Sequence, residues 1–358
     1  MVHYYRGWLT EIQGQKETAL AHYRKGAAMP VDYVFPFQIE AIEALRAAMA
    51  ANPQDAHAPY YLGLLLFDKQ PDEAVKLWTR ALQVDPNMAI AQRNLAVAYS
   101  RQNDGVPKAV SALEKAISLN GDDALYLFEL DRLYEFGQTP VEKRLALFEG
   151  HMATAAKRDD AMSREVTLQL LSGKYDQAIE TMRTRHFHLW EGGARFNVQD
   201  SWTDALLLRG HKKFAAKDYA GALQEYQASI QYPENIEVTR AYRGSRAPET
   251  FYYVGLALEA LGKKEEARQA WRDSAAQMIG EEDNPRVTVD SGAVLLYYQA
   301  MSLSKIGETA RAAKLFVTLR DTAARAMQQG AGGAEFFAKF GEQRSPRMRA
   351  AQAHYVAG

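Results

Sequence analysis

In Tyr60-Tyr61-Leu62-Gly63, followed by Ala74, Trp78, Ala81 and Pro86, a glycine closes an aromatic run. Eleven residues on, a small residue opens a second run whose aromatic and small partners fall four and seven places later. Offsets of three, four and seven put side chains on one face of a helix, so the stretch predicts two helices and a tight turn. Small residues at Gly63 and Ala74 allow two helix backbones to approach closely at a crossing. The aromatic one turn later, Trp78, is expected to fill the hole toward the neighbouring repeat.

The same arrangement recurs along the chain. Ala96 and Tyr99 lead to Ala109, Leu113 and Ala116. Gly210 leads to Tyr219, Ala222 and Tyr226, and Gly255 leads to Gly262, Ala267 and Trp271. Ala300 leads to Gly307, Ala312 and Phe316. Degenerate copies run through Gly14, Ala19 and Tyr23, through Gly173, Tyr175, Ala178 and Met182, and through Tyr134, Gly137, Arg144 and Phe148. This pattern resembles the tetratricopeptide repeat, a helix pair of about 34 residues. Aligned on the small position of the second helix, the copies fall at residues 19, 74, 109, 144, 178, 222, 267 and 312, so successive steps are 55, 35, 35, 34, 44, 45 and 45.

The expected fold is therefore all-α, an α-solenoid of about eight tetratricopeptide-like helix pairs, irregular and elongated toward the C-terminus. Each pair leaves one apolar face uncovered and must stack on the next. Residues 1–52 form a degenerate first repeat and a connection rich in proline and aromatics, 53–185 the regular repeats, and 186–358 the elongated ones. The extra residues fall in Met29–Phe37, Tyr232–Pro248 and Gly280–Gly292, where Pro, Gly and Asn favour loops and helix boundaries. His354-Tyr355-Val356-Ala357-Gly358 resembles the opening of a further helix, Phe251-Tyr252-Tyr253-Val254-Gly255. The chain accordingly reads as a piece of a longer polypeptide that ends inside an incomplete repeat.

Composition narrows function. Forty-three basic and 44 acidic side chains leave a formal charge of −1, which gives no footprint for nucleic acid or an anionic membrane. Absence of cysteine excludes disulfides, thiolate metal sites and cysteine nucleophiles. No apolar stretch approaches the ~20 residues of a membrane helix, and no signal peptide is visible. The compartment is left open, with the cytoplasm favoured. No phosphate-binding glycine loop occurs, no pair of carboxylates is singled out for acid–base work, and no cofactor is implied.

The least repeat-like segment is His186-Phe187-His188-Leu189-Trp190-Glu191-Gly192-Gly193. His-x-His lacks a third ligand at helical spacing, so no metal site is assigned. Trp190 beside Glu191 reads first as a loop anchor, the ring buried and the carboxylate bonding backbone NH groups. Alternatively, with His188, it faces a sugar, the ring stacking and the carboxylate bonding hydroxyls. Tyr232-Pro233-Glu234-Asn235 sits at the matching position of the next unit. It either terminates a helix or lines a groove with Tyr232, Glu234 and Asn235. Arg158-Asp159-Asp160 reads as a solvated helix boundary, and Met182 and Trp271 as core.

Tyr61-Leu62-Gly63 with Trp78, Glu129-Leu130-Asp131-Arg132-Leu133-Tyr134, His188-Leu189-Trp190-Glu191-Gly192-Gly193 and Tyr232-Pro233-Glu234-Asn235 together carry a closer likeness. They resemble the repeat region of bacterial proteins whose N-terminal half is an uncharacterised, mutarotase-like β-sandwich domain. That resemblance implies a carbohydrate-related context. The resulting expectation is a non-catalytic scaffold that binds a protein partner or packs on a neighbouring domain. The alternative is part of a carbohydrate-binding or glycoside-processing site around Trp190-Glu191-Gly192-Gly193.

Overall fold

The computed structural model describes residues 1–188, 198–237, 246–277, 292–328 and 346–357. Among them every regular element is helical. The helices divide into two compact units.

The first unit comprises residues 1–139 and 150–157. It opens with the hairpin α1 (Val2–Ile12) and α2 (Lys16–Ala27), followed by α3 (Ala41–Ala51). The hairpins α4 (His57–Leu66) with α5 (Pro71–Val84) and α6 (Ala89–Ser100) with α7 (Val106–Leu119) come next, and then α8 (Ala124–Phe136). The second unit contains α9 (Val141–Glu149), whereas the single turn α10 (Met152–Ala155) belongs to the first. The second unit continues with α11 (Asp159–Leu171) and α12 (Tyr175–Thr184), then α13 (Val198–Ala215) and α14 (Tyr219–Ala228). It closes with α15 (Ala247–Ala260) and α16 (Lys264–Ala276), α17 (Ala293–Lys305) and α18 (Thr309–Gln328), and finally α19 (Pro346–Ala357). No helix among the described residues is long and apolar enough to cross a membrane.

The repeat register holds in detail. Ala19, Ala74, Ala109, Ala178, Ala222, Ala267 and Ala312 each lie on a second helix and are buried, and Arg144 of α9 is buried at the same register. Five residues before the small position the chain turns through the left-handed region at Gly14, Gly173, Gly262 and Gly307. Asp104 and Lys217 hold that turn position with side chains, at φ 57° and 65°.

The aromatic of the second helix covers its own hairpin as well as facing the next one, where Tyr226 meets Tyr253 and Trp271 lies under Lys305. The indole of Trp78 lies on Gly63 of its own hairpin, and Nε1–H donates to the Tyr60 carbonyl at 3.1 Å. Trp271 repeats the arrangement on Gly255, donating to the Tyr252 carbonyl at 3.2 Å. Tyr23 covers Gly7, and Tyr226 covers Gly210 so closely that a β-carbon there would meet its ring at 2.5 Å. The reason is geometric. Helical side chains lean toward the N-terminus, so the aromatic swings back over the turn preceding it, where the partner helix lies.

One departure from expectation is α3. The 55-residue first step is not filled by a loop alone, because residues 41–51 form a helix that packs on α1 and α4. Ala41, Ala44, Leu45 and Ala48 make its buried stripe at i, i+3, i+4 and i+7.

Stacking between hairpins in the second unit is partly polar. Thr250 of α15 shares a hydrogen bond with Ser229, at the end of α14, at 2.9 Å. Ser302 of α17 donates to Ser274 of α16 at 2.8 Å. α15 and α17 thus meet the second helix of the preceding hairpin through a buried hydroxyl.

Candidate functional site

Of the residues singled out in the sequence, Asn235 and His188 are drawn toward one another, and their bonds are internal. Asn235 Nδ2 donates to the Met182 and Arg185 carbonyls, each at 2.6 Å, and its own carbonyl accepts Phe187 N–H at 2.8 Å. The last carbonyls of α12 lack intrahelical donors, so Asn235 caps that helix from 50 residues downstream. Tyr232 reaches Thr203 with its hydroxyl at 3.2 Å, and Thr203 in turn donates to the Ser229 carbonyl. Glu234 opens a short 3-10 turn (Glu234–Ile236) and is exposed. Trp190, Glu191, Gly192 and Gly193 lie outside the described residues.

His188 is held by Asp159, which accepts its backbone N–H at 3.0 Å and meets its Nδ1 at 2.8 Å. The other Asp159 oxygen accepts from Arg185 Nη2 at 2.7 Å. His186 bonds Glu237 at 2.7 Å. Residues 158–160 are therefore not a solvated boundary. Asp160 is buried against Arg158, and Asp159 ties the start of α11 to the chain leaving α12. Burial alone would push the Asp159 carboxyl up, but the His188 and Arg185 donors outweigh it and hold it below its ordinary value. Nothing among these contacts favours a sugar, because the polar groups of His188, Tyr232 and Asn235 bond their own chain.

A different group of side chains lies within the first unit, on consecutive first helices α4, α6 and α8. Arg93 donates from Nε to Glu129 at 2.8 Å and also pairs with it through Nη2, which joins α6 to α8. Arg93 Nη1 donates to Asn94 Oδ1 at 3.4 Å. Tyr60 stands beside Asn94, its phenol pushed up to about 12 chiefly by burial. Tyr126 of α8 is buried at the same level. Asn94 is buried too, and its side-chain contact with the Tyr60 phenol partly offsets the upward push of burial there.

Neither Arg93 nor Asn94 belongs to the repeat pattern. A signal was present, however. Two residues before the crossing position stand Tyr5, Tyr61, Tyr253 and Tyr298 in other repeats, and only Asn94 and Leu208 break that row in the clear copies. In the second unit the equivalent row is closed. Tyr253 and Tyr298 share a hydroxyl hydrogen bond at 3.0 Å, and Arg246 pairs with both Asp204 and Glu249.

These hairpins define a helical repeat protein. The tetratricopeptide repeat family model matches residues 69–124, which run from α5 to the first residue of α8 and include Arg93 and Asn94. Among solved structures the chain is similar to YrrB, described as a TPR protein with an unusual peptide-binding site. It is 15% identical over 65% of this chain and 91% of that one, with a TM-score of 0.29. It is also similar to a chain of Naa15/Naa10 bound to HypK-THB, with 14% identity over 99% of this chain and 56% of that one and a TM-score of 0.44. A tetratricopeptide repeat protein from Parabacteroides merdae ATCC 43184 is 16% identical over 85% of this chain and all of that one, with a TM-score of 0.36.

Proposed function

We propose that this chain is a non-catalytic scaffold that holds a segment of another protein along the first helices of its N-terminal unit. The observation that carries this reading is the stack of first helices within the repeats that match the tetratricopeptide model, joined across α6 and α8 by the Arg93–Glu129 pair. Stacked first helices present side chains at regular intervals along an extended ligand. The Arg93 and Glu129 side chains keep 23% and 15% of their surface open, so a bound segment can meet both where α6 and α8 adjoin. The Arg93–Glu129 pair supplies one charge of each sign, so the site selects by geometry more than by net charge.

The test is selection from a random peptide phage library on the immobilised chain and, in parallel, on its Arg93→Ala variant. A peptide family enriched on the wild type and lost on the variant, with the variant's circular dichroism unchanged, supports the reading. Enrichment that is indifferent to Arg93→Ala and to Glu129→Gln would remove it.

A further inference from the structure

The face of α1 that looks away from α2 is bare and apolar. Val2, Leu9 and Ile12 are 66%, 53% and 66% exposed, and half-buried Tyr5 lies between them. In the clear repeats the register of Val2 is covered. Counted from the crossing glycine or alanine, Val2 corresponds to Ala58, Ala91, Ala205, Thr250 and Leu295, all buried. Leu9 corresponds to Ala98, Ala257 and Ser302, which are buried, to half-buried Leu65 and to exposed Lys212. What covers this face elsewhere is a helix: Thr250 bonds Ser229 at the end of α14, and Ser302 bonds Ser274 on α16.

The exposed stripe continues onto the connection after α2. Tyr33, Phe35, Phe37 and Ile39 are 71–94% exposed. Tyr5 donates to Gln38 at 3.0 Å, which brings the connection alongside the stripe. Three nearly bare aromatics contribute on the order of 400–600 Å². With four aliphatic residues added, the patch approaches the ~800 Å² per partner of a standard interface. It also exceeds what single domains commonly leave open.

We infer that this patch is a homodimer interface, in which α1 packs antiparallel on α1 of a second copy. Positions 2, 5, 9 and 12 follow the 3–4–3 spacing of a coiled-coil seam. About a two-fold axis at the level of Gly7 this stripe complements itself, because Val2 meets Ile12 of the second copy and Tyr5 meets its Leu9. An isologous interface requires that self-match. Residues 33–39 of both copies flank the seam. Arg6 borders the stripe in each copy, so association strengthens as salt screens the like charges. The inference stands independently of the proposed peptide site.

Sedimentation equilibrium of the full chain between 1 and 200 μM tests it. A concentration-dependent dimer is expected, weakened at least tenfold by Leu9→Lys and separately by Phe37→Ser, with circular dichroism and thermal midpoint retained. Because the chain has no cysteine, the register can be read directly. Val2→Cys combined with Ile12→Cys gives a covalent dimer on mild oxidation, whereas Val2→Cys alone does not, since its two copies lie ~15 Å apart along the seam. A monomer across the whole range overturns the inference, as does a dimer indifferent to both surface variants. Equal cross-linking of the single and double cysteine variants would refute the antiparallel seam.

Discussion

Trp78 occupies the space that a side chain on Gly63 would need, and its indole nitrogen is pinned to the Tyr60 carbonyl on the same helix. Neither partner can retreat without losing a buried hydrogen bond. Gly63→Ala is therefore expected to cost ~1–3 kcal/mol through overpacking. The loss should appear as faster amide exchange in α4 and α5. Unchanged exchange in both helices would mean that the hairpin yields more easily than its packing implies.

Lys217 holds the turn between α13 and α14 at φ 65°, where other hairpins use glycine. A left-handed residue bearing a β-carbon costs about 1–2 kcal/mol, partly offset by the greater freedom of glycine in the unfolded chain. Lys217→Gly should stabilise the second unit by about 1 kcal/mol, read as a higher urea midpoint at constant slope. A lower midpoint would show that the Lys217 side chain makes a stabilising contribution of its own.

Asn235→Ala removes two donors from the end of α12 and leaves the Met182 and Arg185 carbonyls without them. A loss of ~1–3 kcal/mol is expected, with amide exchange rising through the last turn of α12. If stability were unchanged and ligand capture alone suffered, Asn235 would be a binding residue instead of a cap.

The depressed Asp159 carboxyl makes the second unit acid-sensitive. A group whose folded value lies below its unfolded value of 3.8 stabilises fully above that value and is lost as pH falls through the folded one. Thermal midpoints taken from pH 7 to pH 2.5 should drop more steeply for the wild type than for Asp159→Asn, and the variant should already be lower at pH 7. Parallel curves would rule out this linkage.

What was legible in the sequence was what repeats. Gly63, Ala74, Ala222, Gly255 and Ala267 announce themselves through spacing, because close helix crossings tolerate few residue types. The α3 helix was missed because an alanine-rich stripe needs neither the glycine nor the aromatic that marked the others, although its i, i+3, i+4, i+7 period was visible. The ties of His188 to Asp159 and of Asn235 to Met182 span 29 and 53 residues, and local patterning carries no information about such distant pairs. Asn94 was readable only as an interruption in a row of tyrosines.

The glycine–aromatic pairs also bear on how the chain folds. Gly63 and Trp78 are fifteen residues apart, Gly255 and Trp271 sixteen. A loop that short closes in well under a microsecond, and structures dominated by such local contacts reach their native state quickly. Each latch lies wholly within its own hairpin. During synthesis, a hairpin can therefore settle its internal packing once its second helix has left the ribosome, before the sequence of the next repeat has been translated.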